Sequence, residues 1–264
     1  EILSTQPWNA HALVSERYHK GRVFLAGDAA HLFTPTGGFG MNTGVSDAVE
    51  LAWKIEGMLK GWGGKSLLST YFDERQPVGV RNTMEAAHCF DQLKKVMIHG
   101  DEIDDEGEIG QRLRTKITED VKKQNKLIAS SGTLLGYRYN SSPIIINDES
   151  VEPPDDPRKY VPTARPGHRA PHIWLNDDIS ILDKMGPHFT LIYFKKAAKG
   201  LARLEDTAKR IGFPLKVVYI ADSDAVKLYD CHYALIRPDL MVAWRGFSIP
   251  KNCSHFLDII RGEK

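Results

Sequence analysis

The sequence predicts an α/β protein in two parts, and three patterns in its 264 residues support this. A short apolar run, 22–26, ends at Gly27-Asp28 and is typical of a buried strand followed by a turn. Apolar residues then recur every three or four positions between Val45 and Leu59, which predicts an amphipathic helix. Farther along, strand and helix patterns follow in the order β-α-β and then β-β-α, which is typical of a small α/β domain.

The composition is that of an ordinary globular protein. Hydrophobic residues make up 42% and charged residues 26%, and 35 basic side chains against 34 acidic ones leave a formal charge of +1. This balance excludes a nucleic-acid-binding protein that depends on bulk positive charge. No apolar stretch approaches the roughly 20 residues that cross a bilayer, and the three cysteines form no CxxC pair. We therefore expect a cytoplasmic protein with reduced thiols, no membrane span and no nucleic-acid partner.

The first part of the chain predicts two helices after the strand. The helix at 45–59 ends in the glycine-rich stretch 61–64, since glycine commonly terminates helices. A second helical pattern covers 67–97, and we expect Pro77 to interrupt it because proline lacks the N–H that a helix interior uses. The acidic run 101–108 predicts a solvated loop, since like charges repel one another and cannot be buried together.

The second part of the chain begins with a connector. Six prolines within 151–171 forbid regular elements there. The elements predicted beyond it are a strand at 189–194, a helix at 201–211, a strand at 215–220 and a closing helix at 253–260. Before the closing helix, the runs 233–236 and 241–244 predict an antiparallel hairpin.

The loop at 27–42 is the stretch that points most clearly to a ligand. A strand that ends at Asp28 would bring a carboxylate to the edge where open α/β sheets bind ligands, and this carboxylate can accept hydrogen bonds from sugar or polyol hydroxyls. Gly37, Gly38 and Gly40 permit close approach of a ligand. The helix that follows directs free N–H groups and its positive dipole end at the same place. Composition alone leaves open a glycine-rich turn that only packs a helix on a strand.

This loop resembles the second flavin-binding motif of the class A FAD-dependent aromatic-ring hydroxylases. The resemblance rests on Gly27-Asp28-Ala29-Ala30-His31, on Pro35 and on Gly37-Gly38-Phe39-Gly40-Met41-Asn42. It continues along the two helices at Asp47, Ala48, Leu51, Ala52, Trp53 and Lys54 and at Tyr71, Glu74, Arg75 and Pro77. The segments 135–139, 165–172 and 237–246 resemble the phenol-hydroxylase (phenol 2-monooxygenase) branch, so the resemblance covers nearly all of the chain.

The resemblance implies a fold for each part. Residues 1–132 would form the C-terminal part of a FAD-binding, Rossmann-like monooxygenase domain of the glutathione-reductase type, and 133–264 a linker and a thioredoxin-like α/β domain. The family's opening G-x-G-x-x-G is absent from this sequence. We therefore expect the C-terminal portion of a larger enzyme, whose partner is the missing N-terminal half of the FAD domain. Without a Cys-x-x-Cys after Phe194, the thioredoxin-like part is expected to be structural or to form a homodimer.

The resemblance also implies roles for individual residues. Asp28 would hold the ribityl chain of FAD, and Pro35 would lie beside the flavin ring at the border with the substrate. The residues implied at the flavin-facing start of the helix are Gly38, Gly40, Met41 and Asn42. Backbone N–H groups there would face the flavin pyrimidine edge, where reduced flavin carries negative charge. No metal ligand and no general base is assigned, and His31 is expected to be packed or hydrogen-bonded.

The function implied by the resemblance is hydroxylation of a phenolic ring with NAD(P)H and O2 through a flavin C4a-hydroperoxide. This chain alone is expected to bind FAD poorly and to be inactive. The alternative is a non-catalytic fragment that serves as a scaffold or interaction module. The absent G-x-G-x-x-G favours this alternative, whereas the retained flavin motif disfavours it.

Overall fold

A computed structural model of the chain describes residues 2–97, 101–124, 130–175, 178–196 and 199–263, and it shows a mixed α/β fold. The strands are β1 Leu13–Val14, β2 His19–Lys20, β3 Val23–Phe24, β4 His31–Leu32, β5 Trp174–Leu175, β6 Ile179–Ser180, β7 Phe189–Tyr193, β8 Leu215–Tyr219, β9 Tyr233–Ile236 and β10 Val242–Gly246. The α-helices are α1 Phe39–Leu59, α2 Thr70–Met97, α3 Glu108–Gln124, α4 Ser131–Leu135, α5 Leu201–Arg210, α6 Ser223–Tyr229 and α7 Cys253–Ile260. In the part of the chain that the structure describes, no helix is both long and apolar enough to cross a membrane.

The predicted buried strand at 22–26 is wrong in both length and burial. Only Val23–Phe24 form β3, which pairs antiparallel with β2 in a two-stranded sheet, and Val23 is 66% exposed. Asp28 lies in a short 3-10 helix, Gly27–Ala29, instead of following a central strand. An apolar run indicates side chains that favour burial, but it does not say which element covers them.

Helix α1 is confirmed as a helix with one apolar and one polar face, but the polar face is the buried one. Its apolar stripe points outward, and the exposed members are Met41, Val45, Ala48, Val49, Ala52 and Leu59. The inward face is largely polar, with Thr43, Asp47, Glu50 and Lys54 buried beside Phe39, Trp53 and Gly57. A buried charge is costly unless an opposite charge pairs with it. Here the ion-pair partners come from elements that are distant in sequence. The spacing of apolar residues could not reveal those partners.

Helix α2 continues through Pro77, so the predicted interruption is wrong. A proline in this position removes one helical hydrogen bond, to the carbonyl of Asp73 four residues earlier. On the turn before Pro77, the buried side chains Glu74 and Arg75 make ion pairs that tie α2 to α1. We attribute the intact helix to these contacts, which hold α2 in one position against α1 despite the loss of a single hydrogen bond. The acidic run 101–108 is exposed as predicted, but it includes a 3-10 helix at Asp101–Asp104 and the start of α3.

The second part contains a four-stranded sheet with the order β10-β9-β7-β8. Strands β7 and β8 are parallel and are joined through α5, whereas β9 and β10 form the predicted antiparallel hairpin. The predicted order β-α-β and then β-β-α is therefore confirmed, apart from the additional helix α6. The side chain of Asp222 caps α6 by accepting hydrogen bonds from the backbone N–H groups of Asp224 and Ala225. A thioredoxin-like classification stays a prediction.

One hydrophobic core joins the two parts. Trp53 and Trp62, from the α1 region, stack at 6.3 Å, and each meets Phe189 of β7 edge-on at 5.6 and 5.9 Å. Backbone hydrogen bonds reinforce the contact, because Gly64 N–H donates to the carbonyl of Arg261 at 2.7 Å. Side chains from the two predicted parts, 1–132 and 133–264, thus pack in one core. The domain boundary between these parts stays a prediction.

The connector 151–171 has no helix or strand, as predicted, yet it contains a buried histidine. His168 is 6% exposed, and its Nδ1 lies 3.4 Å from the carbonyl oxygen of Pro166. Burial is the main reason that the pKa of His168 falls from 6.5 to about 4, and the positive charges of Arg138 and Arg165 add to this effect.

We expect His168 to make the protein acid-sensitive. Between pH 6.5 and about 4 the unfolded chain binds a proton at His168 that the folded protein excludes. Stability should therefore fall as pH is lowered through this window, by up to about 3 kcal/mol. Denaturant unfolding at several pH values measures the effect, and His168→Gln should flatten the curve. An equally steep curve for His168→Gln would contradict the assignment to this residue.

Candidate functional site

An open cleft of about 550 Å³ lies beside the N-terminus of α1. Five of the six predicted cofactor-binding residues line it: Asp28, Pro35, Gly38, Gly40 and Met41. The other lining residues include Trp8, Asn9, His11, Leu32, Phe33, Thr34, Thr36 and Phe39. Residues predicted from separate points in the motif therefore share one surface.

Asn42, the sixth predicted residue, does not line the cleft. Its Nδ2 donates a hydrogen bond to the carbonyl oxygen of Gly38 at 2.8 Å. The side chain therefore braces the turn that leads into α1.

The start of α1 is built from glycine for a conformational reason. Gly37 and Gly38 have φ values of +76° and +67°, in the left-handed region that disfavours other residues. Gly38 is the N-cap, and no side chain caps the helix there. Within the described residues, the first N–H groups of α1 therefore receive no side-chain cap from the N-cap, and this positive end of the helix dipole lies at the cleft that Gly38, Gly40 and Met41 line.

A close approach of two backbones places Asp28 next to this helix. A Cβ atom added to Gly44 of α1 would lie 3.1 Å from the Cα of Gly27, so a side chain there would force the two segments apart. The exposed carboxylate of Asp28 follows directly after Gly27. Glycine at position 44 thus lets the Asp28 turn lie against the first turns of α1, and glycine at position 27 permits the positive φ of +58° found there.

Asp47 of α1 holds the turn at Gly27-Asp28 in place through buried hydrogen bonds. Its buried carboxylate accepts hydrogen bonds from the backbone N–H of Gly27 at 3.1 Å, from His31 Nε2 at 2.6 Å and from Arg75 Nε at 2.7 Å. Burial opposes ionisation, but the hydrogen bond from His31 and the charge of Arg75 prevail and lower the pKa of Asp47. His31 is therefore hydrogen-bonded, as expected, and the contact to Asp47 assigns the proton to Nε2.

Asp47 is a residue whose importance the sequence reasoning missed. The motif match includes Asp47 but implies no role for it. The available signal was a charged residue on the helix face that runs through Thr43, Asp47, Glu50 and Lys54, which is polar at helical spacing. A polar stripe of this kind normally indicates a solvent-exposed face. Its burial could be predicted only by identifying the cationic side chains that pair with it.

The residues present fit the flavin and ribityl end of FAD. An exposed carboxylate can accept hydrogen bonds from ribityl hydroxyls, and uncapped N–H groups suit the electron-rich pyrimidine edge. A Cβ built on Gly38 meets no atom within 4 Å, so the space beside this turn is open to a flat ring. Among the described residues that line the cleft, none is lysine or arginine. The cleft in this chain therefore offers contacts to the flavin end and no side-chain cation for the pyrophosphate.

Comparison with known proteins identifies two regions. Residues 1–86 match the family model described as FAD binding domain, and residues 163–259 match the one described as aromatic-ring hydroxylase, C-terminal. The FAD-dependent monooxygenase opdD of Penicillium oxalicum is 35% identical, over 93% of this chain and 49% of that protein. Aklavinone 12-hydroxylase RdmE of Streptomyces purpurascens is 32% identical, over 93% of this chain and 44% of that protein. The structure of the rebeccamycin biosynthetic enzyme RebC with reduced flavin has 34% identity and a TM-score of 0.85, over 95% of this chain and 47% of that one.

These matches refine the expectations. The chain spans about half the length of the curated relatives it matches, 49% and 44%. It contains FAD-binding sequence from residue 1 onward as well as the hydroxylase C-terminal region, so it is not restricted to that C-terminal region. Its position within a longer enzyme stays a prediction. The relatives include an aklavinone hydroxylase, so the similarity is to the hydroxylase family and not specifically to its phenol-hydroxylase branch.

Proposed function

This chain belongs to the class A FAD-dependent aromatic hydroxylases, and we propose that the complete protein hydroxylates a phenolic ring, using FAD, NAD(P)H and O2. The observation that carries the proposal is the meeting of the Asp28 carboxylate with the uncapped N-terminus of α1 at one cleft. A packing turn would require neither an exposed carboxylate nor an open space beside Gly38.

In this proposal the residues of the chain bind and orient the cofactor. Asp28 accepts hydrogen bonds from the ribityl hydroxyls, and the N–H groups of the first turn of α1 face the pyrimidine edge. Pro35 lies at the border between flavin and substrate. When bound and reduced by NAD(P)H, the flavin supplies the activation of O2, while the surrounding protein excludes water from the reacting ring.

The substrate class is a phenolic ring within an aromatic polyketide-type molecule. The aklavinone hydroxylase among the relatives supports this class over simple phenol. The wall of the cleft is also largely apolar and aromatic, with Trp8, Phe33 and Phe39 among its residues, as an extended aromatic substrate beside the flavin would need.

The outward apolar face of α1 has a place in the same proposal. Val45 and Val49 are 58% and 45% exposed, and they share this face with Met41 beside the cleft. An exposed apolar stripe of this kind marks a surface that another segment covers. We assign this cover to the remainder of the FAD domain, which would also contribute the cations for the pyrophosphate that the cleft lacks here.

This assignment predicts different effects for two similar substitutions. Val49→Lys in α1 should destabilise the complete protein by at least about 2 kcal/mol, because the added charge would be buried under the covering segment. Val226→Lys in α6 is the matched control, since Val226 is 38% exposed and lies on the second part. Thermal unfolding of both variants measures the difference. Equal, small effects would show that α1 is not covered.

The function itself is tested with the complete protein and a panel of phenolic aromatic compounds. We expect substrate-stimulated NAD(P)H oxidation and one ¹⁸O atom from ¹⁸O₂ in the hydroxylated product. Bound FAD without stimulation by any phenolic compound would contradict the proposed substrate class. A folded protein that never binds FAD would favour the scaffold alternative.

A further inference from the structure

We propose that Arg237, in the second part of the chain, is a positioning residue that holds the cleft-forming helix α1 in place. This inference rests on the proposed function, since it assigns to the aromatic-ring hydroxylase C-terminal region a role in supporting the FAD site. Arg237 follows β9 at the hairpin turn, and it is 1% exposed.

The guanidinium of Arg237 binds carboxylates from both helices of the first part. Its Nη2 lies 2.9 and 3.0 Å from the two carboxylate oxygens of Glu50 on α1. Its Nη1 and Nη2 lie 2.6 and 3.0 Å from the two oxygens of Glu74 on α2. Asp239 completes the set with contacts of 3.1 Å to Nε and 2.5 Å to Nη2. A planar, multidentate fork of this kind fixes orientation as well as distance.

Aromatic rings and a second cation enclose this contact. The guanidinium lies 5.0 Å from the ring of Trp53 and 5.2 Å from that of Tyr139. Lys54 Nζ lies 2.6 Å from carboxylate oxygens of both Glu50 and Glu74. Buried ion pairs are weak contributors to net stability, because desolvation offsets the attraction, but they do specify one geometry. Fixing the place of α1 is therefore the role that this arrangement fits best.

A continuous series of hydrogen bonds connects Arg237 with the turn that contains Asp28. The hydroxyl of Tyr139 lies 3.3 Å from Glu50 Oε2 and 3.1 Å from Arg75 Nη1. Arg75 in turn binds Asp47, which accepts the N–H of Gly27. Asp47 and Glu50 lie one helical turn apart on the same buried face of α1. The two anchors, one on the cofactor side and one on the second part, therefore act on the same rigid helix.

The test compares Arg237→Lys with Arg245→Lys in the complete protein. Lysine keeps the charge but cannot reproduce the fork. Arg245 is a matched control, since it binds Asp148 at 2.7 Å and the carbonyl of Tyr229 within the second part. FAD affinity is measured by quenching of flavin fluorescence, at a temperature where circular dichroism shows each variant to be folded. We expect Arg237→Lys to raise the FAD dissociation constant about tenfold, and Arg245→Lys to leave it within about twofold even if its melting temperature drops equally.

A second variant protects the test if Arg237→Lys does not fold. Tyr139→Phe removes only the hydroxyl that joins Glu50 to Arg75, and we expect it to raise the FAD dissociation constant about threefold. Unchanged affinity in folded Arg237→Lys, or in Tyr139→Phe where Arg237→Lys is unfolded, would overturn the inference. An equal loss in Arg245→Lys would also overturn it. If the wild-type complete protein binds no FAD, the proposed function fails, and the inference fails with it.

Discussion

Asp47→Ala should destabilise the protein by about 3–5 kcal/mol, the range expected when a buried ion pair loses one partner. The substitution leaves the guanidinium of Arg75 buried without its carboxylate, and it removes the acceptors of His31 and of the Gly27 N–H. The lowered pKa of Asp47 determines how this loss of stability depends on pH. A carboxyl group with a lowered pKa stabilises the fold above its unfolded-state pKa and loses this effect as pH falls through its folded-state pKa. The difference between variant and wild type should therefore be largest at neutral pH.

Denaturant unfolding at pH 7 measures this prediction. The control is Asp224→Ala, because Asp224 pairs with Lys227 at the surface, where both side chains are mostly exposed. Such a pair contributes about 1 kcal/mol or less. Similar losses for the two variants would mean that the buried contacts of Asp47 do not hold the fold together.

Asp28→Ala should raise the FAD dissociation constant of the complete protein by about 10- to 100-fold. This corresponds to about 1.5–3 kcal/mol for hydrogen bonds to a charged acceptor. Because Asp28 is exposed and makes no ion pair among the described residues, the substitution should hardly change the melting temperature. Asp73→Ala, an exposed acid on α2 away from the cleft, is the control for a change in net charge. Unchanged FAD affinity in folded Asp28→Ala would refute the role given to this carboxylate.

The sequence predicted the helices and strands of this fold better than it predicted which of their faces are buried. The helix at 45–59, the hairpin around Arg237 and the order of the α/β part depend on short-range periodicity and turn residues, which one sequence displays. The burial of α1 depends on contacts such as that between Glu50 and Arg237, which lie 187 residues apart. Periodicity does not contain this information, so the sequence predicted an amphipathic helix at 45–59 but not which of its faces is buried.

The candidate site was predictable for a different reason. The predicted cofactor-binding residues lie within the single stretch 27–42, so the turn and the helix start bring them together locally, whereas Trp8, Asn9 and His11 reach the cleft from elsewhere in the chain. The supporting residues Asp47, Arg75 and Tyr139 come from α1, α2 and the segment after α4, and only the fold brings them together. Motif recognition therefore predicted residues that share one cleft, but not the buried contacts that hold this surface in position.

The visible absorption spectrum of the complete protein, purified without added cofactor and again after incubation with FAD and removal of the excess, tests the central claim most directly. The account predicts flavin bands that remain with the protein, because the carboxylate of Asp28 and the N-terminus of α1 form one side of a FAD site. A protein that is folded by circular dichroism but shows no flavin bands in either sample would contradict it.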